Sequence, residues 1–199
     1  MSLVDLPQRP FPVPSTISWQ VVDFGGIAQS ELGGAAQRIN RLGNKWKVTF
    51  RLPRMNFDNA NLWQARCNRG LRLGVRWAIL PRFSIDQEGV PLVAGAGQAG
   101  STLAVDGVAR GYRLQNNQPI AILTGGRRYV HKMAEPLRIG SSGAGTLEIE
   151  PPLRIEPADD GVVEIARPHI EGLLEAPIGG EFEVDQFMSG MSLTIVEVR

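Results

Sequence analysis

The segment Ile120-Ala121-Ile122-Leu123-Thr124-Gly125-Gly126-Arg127-Arg128-Tyr129-Val130-His131 decides the fold class. Two short runs with apolar and β-branched residues flank a pair of glycines, and glycine readily adopts the positive φ that a two-residue hairpin turn requires. The segment therefore predicts a tight β-hairpin with strands over 120–124 and 127–131.

This hairpin lies inside a longer β-rich unit that spans residues 95–154. Residues 102–106 alternate apolar and polar side chains, Asp106-Gly107 predicts a turn, and residues 146–149 predict another strand after a loop of Ser and Gly. Four or five short strands in a segment of this length are typical of a small β-barrel. We expect residues 90–160 to form such a barrel, inserted in a larger domain.

The larger domain contains the clearest strand of the chain, residues 45–52. Its apolar side chains share one face and its polar side chains share the other, as in a half-buried strand; the apolar ones are Trp46, Val48, Phe50 and Leu52. We expect it to pair across Gly43-Asn44 with an upstream strand that ends near Leu42. Residues 17–21 also alternate and predict a strand.

One amphipathic helix is predicted after this strand, over residues 58–69. Asn56 or Asp58 is placed to cap its first turn, and Gly70 lies where a helix stop is expected. Apolar residues recur at spacings of three and four: Ala60, Trp63 and Cys67. Residues 71–80 then return to extended structure.

The last forty residues predict strands over 161–165, 181–185 and 191–199. In the last of these, Val196 and Val198 depart from the face shared by Leu193 and Ile195. We therefore expect a strand that is buried on both sides or changes faces at a bulge.

Residues 1–16 carry four prolines, which lack the N–H donor and fix φ. They predict an extended arm, either disordered or laid along a partner. The whole chain is thus expected to be mainly β with one short helix. Residues 17–89 and 161–199 would form one domain, and residues 90–160 the inserted barrel.

Composition predicts a globular protein, and the distribution of charge leaves two interpretations open. No stretch of about 18 apolar residues predicts a membrane span, and the N-terminus lacks the pattern of a signal peptide.

The net charge of +1 is unevenly distributed. Residues 1–89 carry 12 Lys or Arg against 6 Asp or Glu, whereas residues 90–199 carry 9 against 14. Two surfaces of opposite sign would favour packing against copies of the same chain or against neighbouring proteins, and two solvated faces with incidental bias are the alternative.

The glycine-rich run at 95–100 has the spacing of a dinucleotide-binding motif, but that motif works only between a strand and a helix. A strand is predicted after this run, so a nucleotide site is not expected. His131 and His169 lie far apart, and neither has a carboxylate or cysteine at a spacing that predicts a shared site.

Other candidate sites are equally weak. Ser141-Ser142-Gly143 lacks the residues of a nucleophile elbow, and the acidic group Glu156, Asp159 and Asp160 departs from the spacing of a calcium loop. Cys67 is the only cysteine, which excludes an internal disulfide. One cysteine and two histidines cannot form a typical closed zinc site without carboxylates. We therefore predict no catalytic residue, no cofactor-binding residue and no metal ligand.

A basic run spans residues 38–82, with eleven Lys or Arg against the single acid Asp58. Basic residues interleaved with aromatic ones can mark a nucleic-acid surface. Here the aromatic residues fall on the apolar side of the predicted strand and helix, so we interpret them as core. The run is more typical of a contact surface between neighbouring subunits.

Seven stretches of the chain together carry a likeness to a known family. They are Ile39-Asn40-Arg41-Leu42-Gly43-Asn44-Lys45-Trp46-Lys47-Val48-Thr49-Phe50-Arg51-Leu52-Pro53, a helix with Leu62-Trp63, Gly95-Ala96-Gly97-Gln98-Ala99-Gly100-Ser101-Thr102-Leu103, Gly126-Arg127-Arg128-Tyr129-Val130-His131, Gly143-Ala144-Gly145-Thr146-Leu147, Pro151-Pro152-Leu153-Arg154 and Ser192-Leu193-Thr194-Ile195-Val196-Glu197-Val198. These stretches resemble tail proteins of long-tailed bacteriophages and related prophages. The likeness covers most of the chain from about residue 17 onward.

The resemblance implies a virion structural protein, similar to distal tail or tail-tip ring proteins. Such a protein would combine a tail-tube-like β-sandwich with the inserted barrel and assemble into a homo-oligomeric ring. The ring would join the tail tube protein to the hub and tip proteins that carry receptor binding. The resemblance implies neither enzyme activity nor a cofactor, and no contact with a membrane or a specific nucleic acid. It also implies that the protein is made in the cytoplasm of the bacterial host before it joins the tail. An Arg-rich helix around Cys67-Asn68-Arg69 and a short linker at Asp86-Gln87-Glu88-Gly89 depart from the family pattern.

The alternative function is a binding module, in which the small barrel holds a carbohydrate or single-stranded nucleic acid. Such a barrel needs exposed aromatic side chains, yet Tyr112 and Tyr129 are the only aromatic residues between positions 90 and 160. An enzyme is a more distant alternative.

Overall fold

A computed structural model describes residues 2–29, 33–41, 43–79 and 89–198 of the protein. Within these residues the chain forms seventeen strands and one α-helix, so the expected mainly β class is confirmed. The helix is α1 (Phe57–Leu73). The strands in chain order are β1 (Val4–Asp5), β2 (Thr16–Val22), β3 (Gly26–Ala28), β4 (Gln37–Ile39), β5 (Lys45–Arg51), β6 (Met55–Asn56), β7 (Val75–Ala78), β8 (Gly89–Val93), β9 (Thr102–Val108), β10 (Arg113–Leu114), β11 (Pro119–Thr124), β12 (Arg127–Met133), β13 (Leu137–Arg138), β14 (Gly145–Glu150), β15 (Val163–Glu164), β16 (His169–Phe182) and β17 (Phe187–Glu197).

The larger sheet is a half-barrel in which the order of strands is β1-β7-β16-β17-β5-β2, with β6 paired to the start of β17. Strand alternation places one set of apolar side chains on the core side, where α1 packs. The main members of this core are Val48, Phe50, Trp63, Cys67, Val75, Trp77, Ile170, Leu193 and Ile195.

Much of the segment 2–15 is tied to its own chain, so the expectation of an arm that is either disordered or laid along a partner is wrong there. Val4 and Leu6 are buried, and β1 pairs in parallel with β7. The indole N–H groups of Trp77 and Trp63 donate to the carbonyl oxygens of Pro7 and Pro12, at 3.3 Å and 3.1 Å. These bonds satisfy two buried donors and hold the proline-rich segment in place.

Helix α1 begins where the sequence predicts and ends later. Asn56 caps it, since its side-chain oxygen accepts a hydrogen bond from the Asn59 amide at 3.1 Å. The expected stop at Gly70 is wrong, because Gly70 is a buried helical residue in contact with the sheet and Gly74 is the actual C-cap. Residues 71–73 are therefore helical rather than extended, and the strand that follows is the short β7.

Six strands form the nearly closed barrel in the order β15-β11-β12-β14-β9-β8, and a bridge between Leu92 and Val162 links the two ends. The ribbon β10–β13 lies beside it. Its core consists mainly of Val93, Leu103, Val105, Leu114, Ile120, Ile122, Leu147, Ile149, Val163 and Ile165.

The hairpin at Gly125-Gly126 is confirmed. β11 pairs with β12 from Thr124↔Arg127 outward, and both glycines have positive φ, of 58° and 76°. The turn expected at Asp106-Gly107 is wrong, because Gly107 lies within β9 at a register irregularity opposite β8. A Cβ on Gly107 would lie 2.3 Å from the Val90 carbonyl oxygen, so this glycine allows a close strand approach instead of a turn.

The expected partner of β5 is also wrong. β5 pairs with β2, from Thr16↔Arg51 to Val22↔Lys45, while β4 pairs with β3. Leu42 lies outside the described residues. The strands expected over 161–165 and 191–199 correspond to β15 and β17 with shifted bounds. The strand expected over 181–185 is wrong, because β16 ends at Phe182 and residues 183–186 form the turn to β17. Gly190 has a φ of 70° near the start of β17. Beyond it, buried Met191, Leu193 and Ile195 alternate with half-buried residues, so β17 is not buried on both sides.

Candidate interaction surfaces

The residues considered for chemistry have structural roles. His131 is buried and its Nδ1 lies 2.7 Å from the Pro151 carbonyl oxygen. Burial lowers the pKa of His131 to about 4. Cys67 is fully buried, and burial raises the pKa of its thiol to about 12. Neither side chain is accessible as a base or nucleophile.

The two loops considered as ligand sites are held by their own hydrogen bonds. The Gln98 side chain bonds to the backbone of Ala94, Gly95 and Ala104, and β9 follows directly, as predicted. Asp159 accepts from the Gly95 and Asp160 amides, at 2.7 Å and 3.1 Å. Across the part of the chain that the structure describes, no group of three His, Cys, Asp or Glu is arranged to hold a metal ion. No helix among these residues is long and apolar enough to cross a membrane.

A polar cluster that the sequence analysis missed joins the barrel to the sheet. Arg128 donates from Nε to Glu164 and from Nη1 to Glu171, both at 2.8 Å. His169 Nδ1 lies 2.8 Å from Glu164, a contact that the spacing of these residues in the sequence did not predict. Burial would raise the pKa of Glu164, but the hydrogen bonds from His169 and Arg128 outweigh it and the pKa is lowered.

A second junction is centred on Glu197 at the end of β17. Its carboxylate accepts from the Val130 amide at 2.7 Å and the Trp46 amide at 3.2 Å, and lies 2.6 Å from Arg154 Nη2. The side chains of Glu197 and Arg154 are 0% and 2% exposed. Burial raises the pKa of Glu197 even though the guanidinium and the two N–H donors act in the opposite direction.

Lys132 completes the contact between the two units. Its ammonium lies 4.4 Å from the Trp19 ring centroid and 4.7 Å from that of Trp46, a cation–π geometry. Burial lowers its pKa to about 8. Ala121 and Val130 of the barrel also belong to the core of the larger sheet. Buried charges and shared apolar contacts therefore fix how the barrel sits on the sheet.

The barrel surface lacks a platform for stacking bases or sugars. Tyr129 is 6% exposed and lies under Arg154, and Tyr112 is half-buried with its hydroxyl 3.4 Å from the Gln118 amide nitrogen. These are the two aromatic residues of the barrel region. The binding-module alternative therefore gains no support from exposed aromatic side chains.

The larger sheet has an open edge at β2. This strand pairs with β5 on one side, and no other described residue pairs with it on the other side. An edge strand of seven residues presents a row of unpaired N–H and C=O groups, which can extend the sheet into another chain.

The hairpin β3–β4 follows β2 and forms an exposed arm. All six of its strand residues are exposed, including Ile27 at 69% and Ile39 at 44%. Ile27 pairs with Arg38 and Ile39 pairs with Gly26, so the two isoleucines project from opposite faces of the ribbon. A two-stranded ribbon without a core is marginal in water, so this arm lacks most of the apolar burial that would stabilise it.

A second projection is the tip of the hairpin β16–β17, where Val184 is fully exposed and Phe182 is 48% exposed. The Glu183 amide donates to the Phe187 carbonyl oxygen at 2.7 Å and closes the turn. Arg54 contacts the tip from a neighbouring part of the chain. It donates a hydrogen bond to Glu183 at 2.7 Å and pairs with Asp185, and its Cζ lies 4.1 Å from the Phe187 ring centroid.

Helix α1 presents a basic ridge to solvent. Arg66, Arg69 and Arg72 recur at intervals of three and all are exposed. Of the aromatic residues in the basic run, Trp46, Phe50, Trp63 and Trp77 are buried, as predicted, whereas Phe57 is 48% exposed and packs on Phe182. Arg82 lies outside the described residues.

The unequal charge of the two halves is partly neutralised where strands from both halves lie in one sheet. Strands from the acidic half insert beside strands of the basic half, and the charges meet within the sheet. Lys47 lies 2.6 Å from Glu175, and Arg54 lies 2.7 Å from Glu183. Part of the predicted asymmetry is therefore neutralised inside one subunit by these ion pairs.

No protein-family model matches the chain, and a search of curated proteins finds no match.

Proposed function

We propose that the protein is a ring-forming structural subunit of the distal tail of a long-tailed bacteriophage. The observation that carries this proposal is the β3–β4 arm, whose isoleucines are exposed on both faces. A neighbouring copy that covers this arm supplies the apolar contacts that its own chain lacks.

The open β2 edge beside the arm supports the same function. A contact between one edge of a subunit and a different surface of the next is heterologous, and repeated heterologous contacts close into a ring when the rotation allows it. The fixed barrel then decorates each subunit of the ring at a defined position. In the virion the ring joins the tail tube protein to the hub and tip proteins, and no residue is assigned a catalytic role.

The test measures the oligomeric state of the purified protein by light scattering over a range of concentrations, with negative-stain imaging of the particles. We expect closed rings from the wild type. Replacing Ile27→Asp removes an apolar contact worth about 2 kcal/mol and should weaken association about 30-fold per interface.

Val90→Asp is the matched control, because Val90 is 64% exposed on the barrel and distant in sequence from the arm. It should leave the rings intact. A wild-type protein that stays monomeric at every concentration, with no rings in tail particles that contain it, would falsify the proposal.

A further inference from the structure

The tip of the β16–β17 hairpin has the composition of a contact surface. Phe182 and Val184 are exposed beside Glu181, Glu183 and Asp185. Arg54 neutralises part of this charge, whereas Glu181 has no ion-pair partner among the described residues. The tip therefore combines an uncovered apolar residue with unbalanced negative charge.

The arginine ridge of α1 has the complementary composition. Neither Arg69 nor Arg72 has an ion-pair partner among the described residues, and Asp58, near the other end of the helix, is the one acidic residue of α1. The methylene stems of the arginines give this face apolar surface beneath the charged groups. An acidic segment with an exposed valine matches both features.

The tip and the ridge of the same subunit are held apart. Phe57 at the start of α1 packs on Phe182, and their ring centroids are 5.4 Å apart. Arg69 lies twelve residues further along the helix. At 1.5 Å per residue this separation is about 18 Å. Because Arg54 and Phe57 fix the tip at the beginning of the helix, the ridge is free to receive the tip of another copy.

We propose that the hairpin tip of one copy docks on the arginine ridge of the next copy, with Glu181 facing Arg69 and Arg72 and with Val184 against their stems. This contact rests on the proposed ring and adds a second, electrostatic interface to the one made by the β3–β4 arm. The two surfaces differ, so the contact is heterologous and repeats around the ring. Charge complementarity of this kind sets orientation and makes association sensitive to salt.

A charge swap in the full chain tests the contact. Glu181→Arg alone and the pair Arg69→Glu with Arg72→Glu should each weaken ring assembly about tenfold or more at low salt, because like charges then meet. The three substitutions together should restore assembly to within about threefold of the wild type. Arg110→Glu, the same charge change at an exposed barrel residue, is the control and should have no effect. These sites are exposed, so the urea midpoints should stay within error of wild type.

The outcomes separate this contact from the ring itself. The docking contact is wrong and the ring stands if Ile27→Asp abolishes the rings while Glu181→Arg and the Arg69→Glu, Arg72→Glu pair each leave them unchanged. The same conclusion follows if the three charge reversals together do not restore ring assembly. A wild-type protein without rings overturns both. The nucleic-acid alternative is tested with a labelled single-stranded oligonucleotide. If the oligonucleotide binds the wild type and binds the Arg69→Glu, Arg72→Glu variant more weakly, while the rings of that variant stay intact, the ridge is a nucleic-acid surface and the docking contact is wrong.

Discussion

Replacing Gly70→Ala places a methyl group where helix α1 meets the sheet. Built on the present backbone, its Cβ would lie 2.3 Å from Val75 Cγ1 and 3.1 Å from Leu174 Cδ1. Val75 is fully buried and β-branched, and such side chains are stiff at χ1. The methyl group therefore forces Val75 or the helix itself to shift.

Two effects of opposite sign decide the stability change. Alanine is a better helix former than glycine by about 1 kcal/mol, which favours the variant. Overpacking a filled core costs about 1–3 kcal/mol, and a 2.3 Å contact is far inside van der Waals distance, which places this site at the upper end. We expect a net loss of about 2 kcal/mol in the free energy of unfolding.

The assay is urea unfolding followed by circular dichroism and tryptophan fluorescence. Asn68→Ala, at an exposed position of the same helix, is the control and should gain about 0.5 kcal/mol from helix propensity alone. In the double variant with Val75→Ala the loss should be smaller than the sum of the single losses by about 1 kcal/mol or more, because the clash is removed. If Gly70→Ala stabilises the protein as much as Asn68→Ala does, the close packing of α1 on β7 is refuted.

Three further predictions concern other buried and clamped groups. The folded protein disfavours protonated His131, whose pKa falls from 6.5 to about 4, so stability should drop by up to about 3 kcal/mol as the pH decreases through this window. In urea unfolding experiments at several pH values, His131→Asn should remove this part of the pH dependence of stability. An unchanged pH dependence would contradict the prediction. The Cys67 thiol should react with a disulfide reagent such as DTNB only after unfolding, and rapid labelling of native protein would contradict its burial. Arg54→Met should leave the urea midpoint close to that of the wild type, because the ion pairs of Arg54 are exposed, yet it should speed hydrogen exchange at residues 183–187. Unchanged exchange there would show that Arg54 does not hold the tip.

Local signals predicted local structure well. Gly125-Gly126 and the Asn56 cap act within four residues of chain, and both are present as predicted. The same type of signal failed at Asp106-Gly107, because the facing strand β8 determines the backbone there. Gly70 failed as a helix stop for the same reason: the need for space against Val75 and Leu174 places a glycine inside the helix.

Long-range pairing was beyond the local patterns. β2 and β5 pair across a loop that contains a separate hairpin, and nothing in the residues beside Gly43 predicts that partner. The polar junctions join residues far apart in sequence, such as Arg128 with Glu171 and Arg154 with Glu197. Exposure of the β3–β4 arm was also unpredictable, because apolar residues in a short strand normally indicate core.

The barrel enters the chain between β7 and β16, which are neighbours in the sheet, and Ala78 pairs directly with His169. In its connectivity the barrel is an insertion between two paired strands. A short turn could replace it without changing the order of the strands in the sheet. The buried carboxylate of Glu197 prevents this simple exchange, because its cation and one of its amide donors come from the barrel. A shortened chain would leave this acid at the end of β17 without its cation and without one of its amide donors. A different module at this position would have to bring its own buried cation, or be inherited together with an apolar residue in place of Glu197.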